Sequence, residues 1–264
     1  MDYQSLLVDH RGAADWVTLN RPEQLNALTQ DSLAELNHYF DSLLANTAVR
    51  VVVLRGAGRA FCAGLDIKAA GNYENPDADA LMQSQRRFSG LVMRMRRCPQ
   101  PVIGLIHGAA AGGGFSIALG CDVRIAAEDA RMNCAFIKMG LSGCEMGASY
   151  HLPRLVGTSV AAELLYTGRF INAQRALRVG LVSEVVPLTE LEAAGEALAQ
   201  DMLATAPLGL RLTKEAFWAA VDGNSLESVV VMEDRNQVLA VNNGDLAEGA
   251  KAFLAKRKPQ FKGQ

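Results

Sequence analysis

The sequence predicts an α/β protein with a helical C-terminal region. Short apolar segments typical of strands alternate with helical patterns over the first two thirds of the chain. One of them, residues 51–54, is a continuous apolar run, which is typical of a strand covered on both faces. Beyond about Pro187 only helical patterns follow. We therefore expect a strand-containing core over residues 1–190 and a helical region over residues 191–264.

The predicted elements of the core follow one another in a regular order. SLLVDHRGAADWVTLNR contains two short apolar runs separated by a glycine turn, and DSLAELNHYFDSLLAN has apolar residues at helical spacing. Four further segments predict strands, and two predict helices. The strands are VRVVVLRG, PVIGLIHG, VRIAAED and GLVSEVVP, and the helices are GGGFSIALGCD and SVAAELLYTG.

Two other stretches complete the prediction. GNYENPDADALMQ is polar and rich in turn residues, so residues 71–79 are predicted to form a mobile surface loop. In the C-terminal region, Pro, Gly or Asn separates four helical patterns. These patterns are TELEAAGEALAQDMLATAP, LGLRLTKEAFWAAVDG, SLESVVVMEDRNQVLAVNN and DLAEGAKAFLAKRKPQF.

Composition excludes several classes of protein. Half of the 264 residues are hydrophobic, a fifth are charged, and the net charge of −2 gives no general attraction to nucleic acid or to anionic membranes. The five cysteines form no CxxC pair, which argues against a disulfide framework and favours the cytoplasm. Residues 98–121 carry no charge, but six glycines, two prolines and no flanking anchors argue against a membrane span.

Two segments share a design in which a buried strand runs into glycines before a helix. They are VVVLRGAGRAFCAGLDIKAAG and PVIGLIHGAAAGGGFSIALGCD. Free backbone N–H groups at such turns can hold an anion or an oxyanion, although the glycines can equally serve close packing of helix on strand. Neither segment contains GxxxxGK[ST], and the second has no GxGxxG with a suitably placed acid, which excludes nucleotide loops.

Together with FCAGLDIK, these turns resemble the crotonase (enoyl-CoA hydratase/isomerase) superfamily. The resemblance extends over essentially the whole chain, in six pieces that keep the family's order. The pieces are LNRPEQLNAL, GAGRAFCAGLDIK, AAAGGGFSIALGCDVRIA, GLSGCEMGASYHLPRLVG, LLYTGRFINAQRALRVGLVSEVVP and EGAKAFLAKRKPQFKG. It implies a stack of ββα superhelical turns with a C-terminal helical trimerisation region, and therefore a homotrimer or a dimer of trimers.

The resemblance also implies where an acyl-CoA thioester would bind. The backbone N–H groups of Leu65 and Gly113 would form the oxyanion hole that polarises the thioester carbonyl, so neither side chain needs to be polar. Coenzyme A enters as part of the substrate, and no separate cofactor or metal is expected.

Several residues are implied to contact the coenzyme A moiety. The segment Glu23, Gln24 and Leu25 would lie by the adenine and ribose, and Ala63 and Ile67 would offer backbone groups to the adenine. Phe253 and Lys256 on the last helix would approach CoA, commonly from a neighbouring subunit. The side chains that could neutralise phosphate are Arg21, Arg59, Lys68 and Lys256, although each can also be an ordinary surface cation.

The chain departs from the family at the two catalytic glutamates of a hydratase, whose positions hold Ser116 and Phe136. Neither side chain can act as a general base near neutral pH. The nearest acid is Glu145 in GLSGCEMG. Some isomerases of the family resemble this chain in carrying an acidic residue in this loop. The apolar neighbours of Glu145 suit a role in proton transfer. Its carboxylate could instead serve only to stabilise the N-terminus of the following helix through the helix dipole.

The acyl group is expected to be apolar, because the implied pocket walls are apolar side chains that could also be ordinary core. They are Met82, Phe88, Met93, Phe115, Phe136, Met139 and Met146. The four histidines show no metal-binding spacing and are interpreted as structural, with His151 the nearest to the pocket in sequence. Asp66 is interpreted as a turn residue, and Cys62 and Cys144 lack a base partner that would make them nucleophiles.

The sequence therefore predicts an acyl-CoA-thioester enzyme of the enoyl-CoA hydratase/isomerase type with Glu145 as acid and base. Two alternatives stay open. One is a hydrolase, decarboxylase or carbon–carbon-cleaving enzyme with the same oxyanion hole, and the other is an acyl-CoA binding protein without chemistry.

Overall fold

The structure, a computed structural model, describes residues 2–69 and 77–262. Short strands and helices alternate over most of these residues. The strands are β1 (Leu6–Arg11), β2 (Ala14–Leu19), β3 (Val51–Gly56), β4 (Val102–Ile106), β5 (Ala109–Ala111), β6 (Val123–Ala127), β7 (Arg131–Asn133), β8 (Ile171–Asn172) and β9 (Glu184–Val186). The helices are α1 (Gln30–Ser42), α2 (Ala78–Arg97), α3 (Gly113–Gly120), α4 (Ala148–Thr167), α5 (Ala173–Arg178), α6 (Leu191–Leu203), α7 (Pro207–Val221), α8 (Leu226–Asn242) and α9 (Asp245–Leu254).

The main sheet has six strands in the order β1-β2-β3-β4-β6-β9. The β1–β2 pair is antiparallel, and every later pair in this sheet is parallel. The side chains of β3 alternate between two separate cores, with Val52 and Leu54 in one and Val51 and Val53 in the other. The continuous apolar run therefore forms the strand covered on both faces that the sequence predicts.

The uncharged stretch over residues 98–121 supplies β4, β5 and α3 rather than a membrane span. All eight residues of α3 are buried, so the absence of charge reflects packing inside the protein. None of the described helices is long and apolar enough to cross a membrane.

The sequence did not predict the second sheet, in which β5 pairs with β7 in parallel and β7 with β8 in antiparallel orientation. These strands are two or three residues long, too short for an alternating pattern to appear. They form where the chain continues past β4 and past β6, and there β5 pairs with β7. The Gly112 N–H donates to the Asn133 carbonyl of β7 at 3.0 Å, which joins the glycine triplet to this sheet.

The predicted loop over residues 71–79 was wrong at its end. Residues 71–76 lie outside the described residues, but Asp77 caps α2, and its side chain accepts hydrogen bonds from the N–H groups of Asp79 and Ala80. Aspartate is a favoured N-cap residue, so this helix start was readable from DADA. The polar letters of its first turns face solvent.

The four predicted C-terminal helices are confirmed as α6, α7, α8 and α9. The first of them packs on the main sheet, with Leu191 and Ala199 in the same core as Val51 and Val53. A boundary at residue 190 remains a prediction, because α6 shares the core of the preceding strands.

A buried ion pair joins α7 to the core. The Lys214 ammonium group lies 2.9 Å from the Asp122 carboxylate and donates to the carbonyls of Met95 and Gln100. The indole N–H of Trp218 donates to the other Asp122 oxygen at 2.6 Å. The Lys214 ammonium, the Asp122 carboxylate and the Trp218 indole thus all have partners, as burial of charge requires.

His151 of α4 lies beside this cluster as a buried neutral side chain. Its ring contacts Tyr150 and Trp218 edge-on, at centroid distances of 5.1 and 6.0 Å. Burial lowers the pKa of His151 to about 4, and the positive charges of Arg96 and Arg124 act in the same direction. His151 is therefore a packing residue, as its sequence context suggested.

We expect this histidine to make the fold sensitive to acid. Between about pH 6.5 and pH 4 His151 binds a proton in the unfolded chain but not in the folded one, so the free energy of unfolding falls as pH is lowered. The full effect is about 3 kcal/mol. Denaturant unfolding at pH 7, 5.5 and 4.5 should show a smaller loss for His151→Phe than for the wild type.

The exposed His38 provides the control. His38→Gln should keep the wild-type pH dependence. Equal pH dependence in the wild type and His151→Phe would contradict the assignment of His151 as the acid-sensitive group.

Candidate active site

The site forms where the chain after β3 crosses the chain after β4. The Cys62 N–H donates to the Ala109 carbonyl, and the Ala111 N–H donates to the Cys62 carbonyl, both at 3.0 Å. This parallel bridge fixes the two glycine turns side by side. The two segments singled out from the sequence are therefore brought together in space.

The two turns approach so closely that they exclude side chains at two positions. A Cβ on Gly114 would lie 2.1 Å from the Cys62 carbonyl oxygen, and a Cβ on Gly64 would lie 2.6 Å from the Ala111 oxygen. Gly64 also has a φ of +93°, which other residues rarely adopt. The structure therefore shows the close-packing role of these glycines, and their oxyanion role stays a prediction.

The predicted oxyanion donors lie next to each other in this crossing. The Gly113 nitrogen is 3.4 Å from the point that a Cβ on Gly64 would occupy, and Gly64 directly precedes Leu65. Among the described residues, neither the Leu65 N–H nor the Gly113 N–H donates to a backbone carbonyl outside helices and strands. Gly113 is the first residue of α3, so its N–H has no intrahelical acceptor and the positive end of the helix dipole lies there.

Leu28 holds the Leu65 segment from its other side. The Leu28 N–H donates to the Gly64 carbonyl at 2.7 Å, and the Asp66 N–H donates to the Leu28 carbonyl at 2.9 Å. The residues on both sides of Leu65 are thereby held by main-chain hydrogen bonds, while in the described part of the chain its own N–H donates to no main-chain carbonyl outside helices and strands. This is the arrangement that polarisation of a carbonyl requires.

The two departures from the hydratase pattern lie at this turn. The Phe136 ring approaches to 3.5 Å from the point where a Cβ on Gly112 would stand. Ser116 is fully buried, and its hydroxyl donates to the main-chain carbonyl of Glu145 at 3.2 Å. Where a hydratase has its first glutamate, this chain therefore has a tether to the loop that carries its own acid.

Glu145 is half-buried at the start of a tight turn. The next residue, Met146, has a φ of +46°, and its sulfur comes within 3.4 Å of the Cβ point on Gly113. Glu145 is thus adjacent in sequence to a residue whose side chain lies close to Gly113, the implied second oxyanion donor. One oxygen of the Glu145 carboxylate accepts a hydrogen bond from the Gln85 side-chain amide of α2.

The acyl-pocket prediction is only partly reflected in the contacts. Met146 and Phe136 lie at the glycine triplet, whereas Phe115 is a fully buried core side chain. Met93 lines a groove between α1 and α2 with Phe40, away from the triplet. The other candidates are exposed or half-buried. They are Met82, Phe88 and Met139.

Two of the segments implied to bind coenzyme A are joined by a main-chain hydrogen bond. The Ala63 N–H donates to the Leu25 carbonyl at 2.9 Å, which joins the turn holding Glu23 and Gln24 to the FCAGLDIK loop. Because that N–H is used, Ala63 can offer adenine only its carbonyl. Ile67 is exposed, as are the two cations Arg59 and Lys68.

Arg21 has a structural role instead of a free phosphate-binding one. Its guanidinium lies 3.0 Å from the Asp66 carboxylate and also donates to the Ala27 carbonyl. The Arg21 hydrogen bond holds the pKa of Asp66 below its usual range. Asp66 is thus the charged turn residue expected, and the pair ties Arg21 to the FCAGLDIK loop.

Phe253 in α9 and Lys256 just after that helix are the other two residues implied to contact CoA. Phe253 is 81% exposed, and no hydrogen bond or ion pair among residues 2–69 and 77–262 links Phe253 or Lys256 to Glu23, Gln24 or Leu25. Their implied approach to CoA therefore stays a prediction.

Candidate residues for other chemistries have structural explanations. His107 is buried, and its ring bonds the Gly58 carbonyl at 3.0 Å. Burial raises the pKa of the Cys62 thiol to about 12, so it is not a nucleophile near neutral pH. Within the described part of the chain no group of three metal-ligating side chains occurs.

Sequence reasoning missed two residues that organise the site. The buried Asn26 amide donates to the carbonyls of Ala57 and Ala60, both at 2.8 Å, and joins the first turn to the loop after β3. Gln85 was missed because it lies on the unpredicted helix α2, sixty positions from Glu145. An asparagine inside RPEQLNAL was a usable signal for a turn, whereas Gln85 gave none.

Comparisons with known proteins agree with this geometry. The family model described as enoyl-CoA hydratase/isomerase matches residues 11–264. The chain is 36% identical to 1,2-epoxyphenylacetyl-CoA isomerase of Escherichia coli, over 94% of each chain. It is 35% identical to (E)-benzylidenesuccinyl-CoA hydratase of Thauera aromatica, over 94% of this chain and 95% of that one.

Among solved structures, enoyl-CoA hydratase from Bacillus anthracis superposes with a TM-score of 0.93 at 35% identity, over 99% of this chain and all of the other. Similarity at this level over nearly the full length establishes common ancestry as well as a common fold. The chain therefore belongs to the enoyl-CoA hydratase/isomerase family, the crotonase superfamily of acyl-CoA thioester enzymes.

Proposed function

We propose that this enzyme moves a proton within an unsaturated acyl-CoA thioester, with Leu65 and Gly113 as oxyanion donors and Glu145 as acid and base. The observation that carries the proposal is the approach of the Met146 sulfur to 3.4 Å from the Cβ point on Gly113, which brings the GLSGCEMG loop, with Glu145 as its only acid, close to the glycine triplet.

In the proposed reaction the thioester oxygen accepts hydrogen bonds from the two N–H groups. Glu145 removes a proton from carbon α or γ, which gives an enolate whose negative charge lies on the held oxygen. The same carboxyl returns the proton to the other carbon, so the double bond shifts and the composition is unchanged. Each oxyanion donor is expected to lower the barrier by about 3 kcal/mol.

Two-glutamate hydration is disfavoured by the residues at both positions. Phe136 carries no titratable group, and the Ser116 hydroxyl is already used in its bond to the Glu145 carbonyl. A single carboxylate can shuttle one proton but lacks the partner that holds water in a hydratase. Isomerisation fits the acids that are present.

The acyl group is proposed to be apolar or aromatic. Phe136 and Met146 supply adaptable apolar contacts at the triplet. The Escherichia coli and Thauera relatives are named for thioesters with aromatic acyl groups. Coenzyme A arrives with the substrate, and the proposed proton transfer calls for no metal or further cofactor.

The proposal includes assembly as a homotrimer or a dimer of trimers. Helices α8 and α9 expose a set of large apolar side chains that solvent does not favour. They include Leu226, Val231, Val238, Val241, Leu246, Phe253 and Leu254. A second copy covering this set would also bring Phe253 and Lys256 to a CoA surface. All five cysteines are free, which supports work in the reducing cytoplasm.

Replacing Glu145 tests the proposed chemistry. With a panel of enoyl- and dienoyl-CoA thioesters, Glu145→Gln should lower kcat by about 10²- to 10⁴-fold, because the amide cannot exchange the proton. The shift of conjugation is followed by absorbance, and a thiol reagent measures free CoA in the same samples.

Glu233→Gln on α8 is the matched control and should keep wild-type rates. Full activity in Glu145→Gln would remove Glu145 from the mechanism. Release of CoA in step with turnover would replace the isomerase by a thioester-cleaving enzyme. Binding without turnover of any thioester in the panel would favour a non-catalytic binding protein.

Charge on the exposed face of α8 tests the assembly. Val231 and Val238 are seven residues apart and both exposed, so they lie on one face of the helix. Val231→Glu with Val238→Glu should lower the mass measured by light scattering to that of the monomer and raise the KM for the CoA substrate.

Gln237→Glu, on the flank of the same helix, should leave the mass unchanged. A wild-type chain that is itself monomeric, or a double variant that keeps the wild-type mass, would contradict assembly through this face.

A further inference from the structure

Gln85 is a polar side chain for which the proposed mechanism has no role so far. It lies two turns into α2, and its side-chain amide donates to Oε1 of Glu145. Its neighbour on α2, Ser84, accepts a hydrogen bond from the Gln30 side chain of α1 at 2.8 Å. Arg87 is held by the Asn37 side chain, which donates to its carbonyl at 3.1 Å. The helix turn carrying Gln85 is thus anchored to α1 on both sides of the residue.

The main chain of Glu145 is held separately. Its carbonyl accepts from the Ser116 hydroxyl at 3.2 Å and from the Ala148 N–H at 2.9 Å. These two contacts fix the main chain of Glu145 but leave the torsions of its side chain free. A glutamate side chain has three such torsions, so a contact at the carboxylate is needed to select one position for the reacting oxygen.

We propose that Gln85 is the positioning residue for Glu145, holding Oε1 so that Oε2 is the oxygen that takes and returns the proton. A glutamine amide can donate to one carboxylate oxygen while the other stays open to the substrate. This inference rests on the proposed function, because it requires Glu145 to be the acid and base.

In this proposal Gln85 and Glu145 have different roles. Gln85 does not touch the reacting carbons and transfers no proton itself. It limits the orientations of Glu145, and orientation of a reacting group is a large part of catalysis. Loss of Gln85 should therefore reduce kcat more than it changes KM.

The test is a double-mutant cycle with Gln85→Met and Glu145→Gln, measured with the thioester that the wild type turns over fastest. Methionine keeps the length of the side chain but cannot donate. Gln85→Met alone should lower kcat about tenfold and leave KM within about twofold, because the carboxylate loses its fixed orientation. In the Glu145→Gln background the same substitution should have no further effect.

Gln83→Met is the matched control, with the same substitution two residues away on an exposed part of α2. It should keep wild-type kcat and KM. Gln85→Met with unchanged kcat would overturn the inference, and so would an equal loss in both backgrounds. Full activity of Glu145→Gln would instead overturn the proposed function, which separates the two failures.

Discussion

The Cys62 backbone exchanges hydrogen bonds with Ala109 and Ala111, and this bridge brings two glycine turns from distant parts of the sequence into contact. The approach is so close that Gly64 and Gly114 have no room for a Cβ. Two consequences follow. The N–H groups of Leu65, which follows Gly64, and of Gly113, which precedes Gly114, lie close together. Among the described residues, neither N–H donates to a backbone carbonyl outside helices and strands.

The rest of the fold supports that crossing. The strands β3 and β4 deliver the two turns to the same edge of the parallel sheet, where the ends of such strands usually carry function. The short sheet of β5, β7 and β8 is joined to the glycine triplet by the hydrogen bond from the Gly112 N–H to the Asn133 carbonyl. The helix α3 adds the positive end of its dipole at Gly113. Catalytic groups made of main chain depend on this support, because no side-chain rotamer can correct an error in their position.

Features that depend on local sequence patterns could be predicted, whereas features that depend on contacts between distant residues could not. The strand at residues 51–54 and the four C-terminal helices have strong periodic or continuous apolar patterns, and both predictions were correct. The helix α2 was missed because its first turns are polar and solvent-facing, and the second sheet because its strands are too short to show a pattern. The two turns could be recognised from glycine, whereas the hydrogen bonds of Glu145 to Ser116 and Gln85 join residues 29 and 60 positions apart. Such contacts depend on the packed fold and leave no local signal.

The central claim is that the Leu65 N–H and the Gly113 N–H polarise a thioester carbonyl. Its most direct measurement is the infrared carbonyl band of a ¹³C=O-labelled saturated acyl-CoA bound to the protein, compared with a chain in which an ester replaces the Gly64–Leu65 amide. An ester at the Leu65–Asp66 bond, whose N–H serves Leu28 instead, is the control. We predict a shift to lower wavenumber on binding to the wild type and to the control, and a smaller shift when the Leu65 N–H is removed. An unshifted band in the wild type, or an equal shift in all three proteins, would contradict the account.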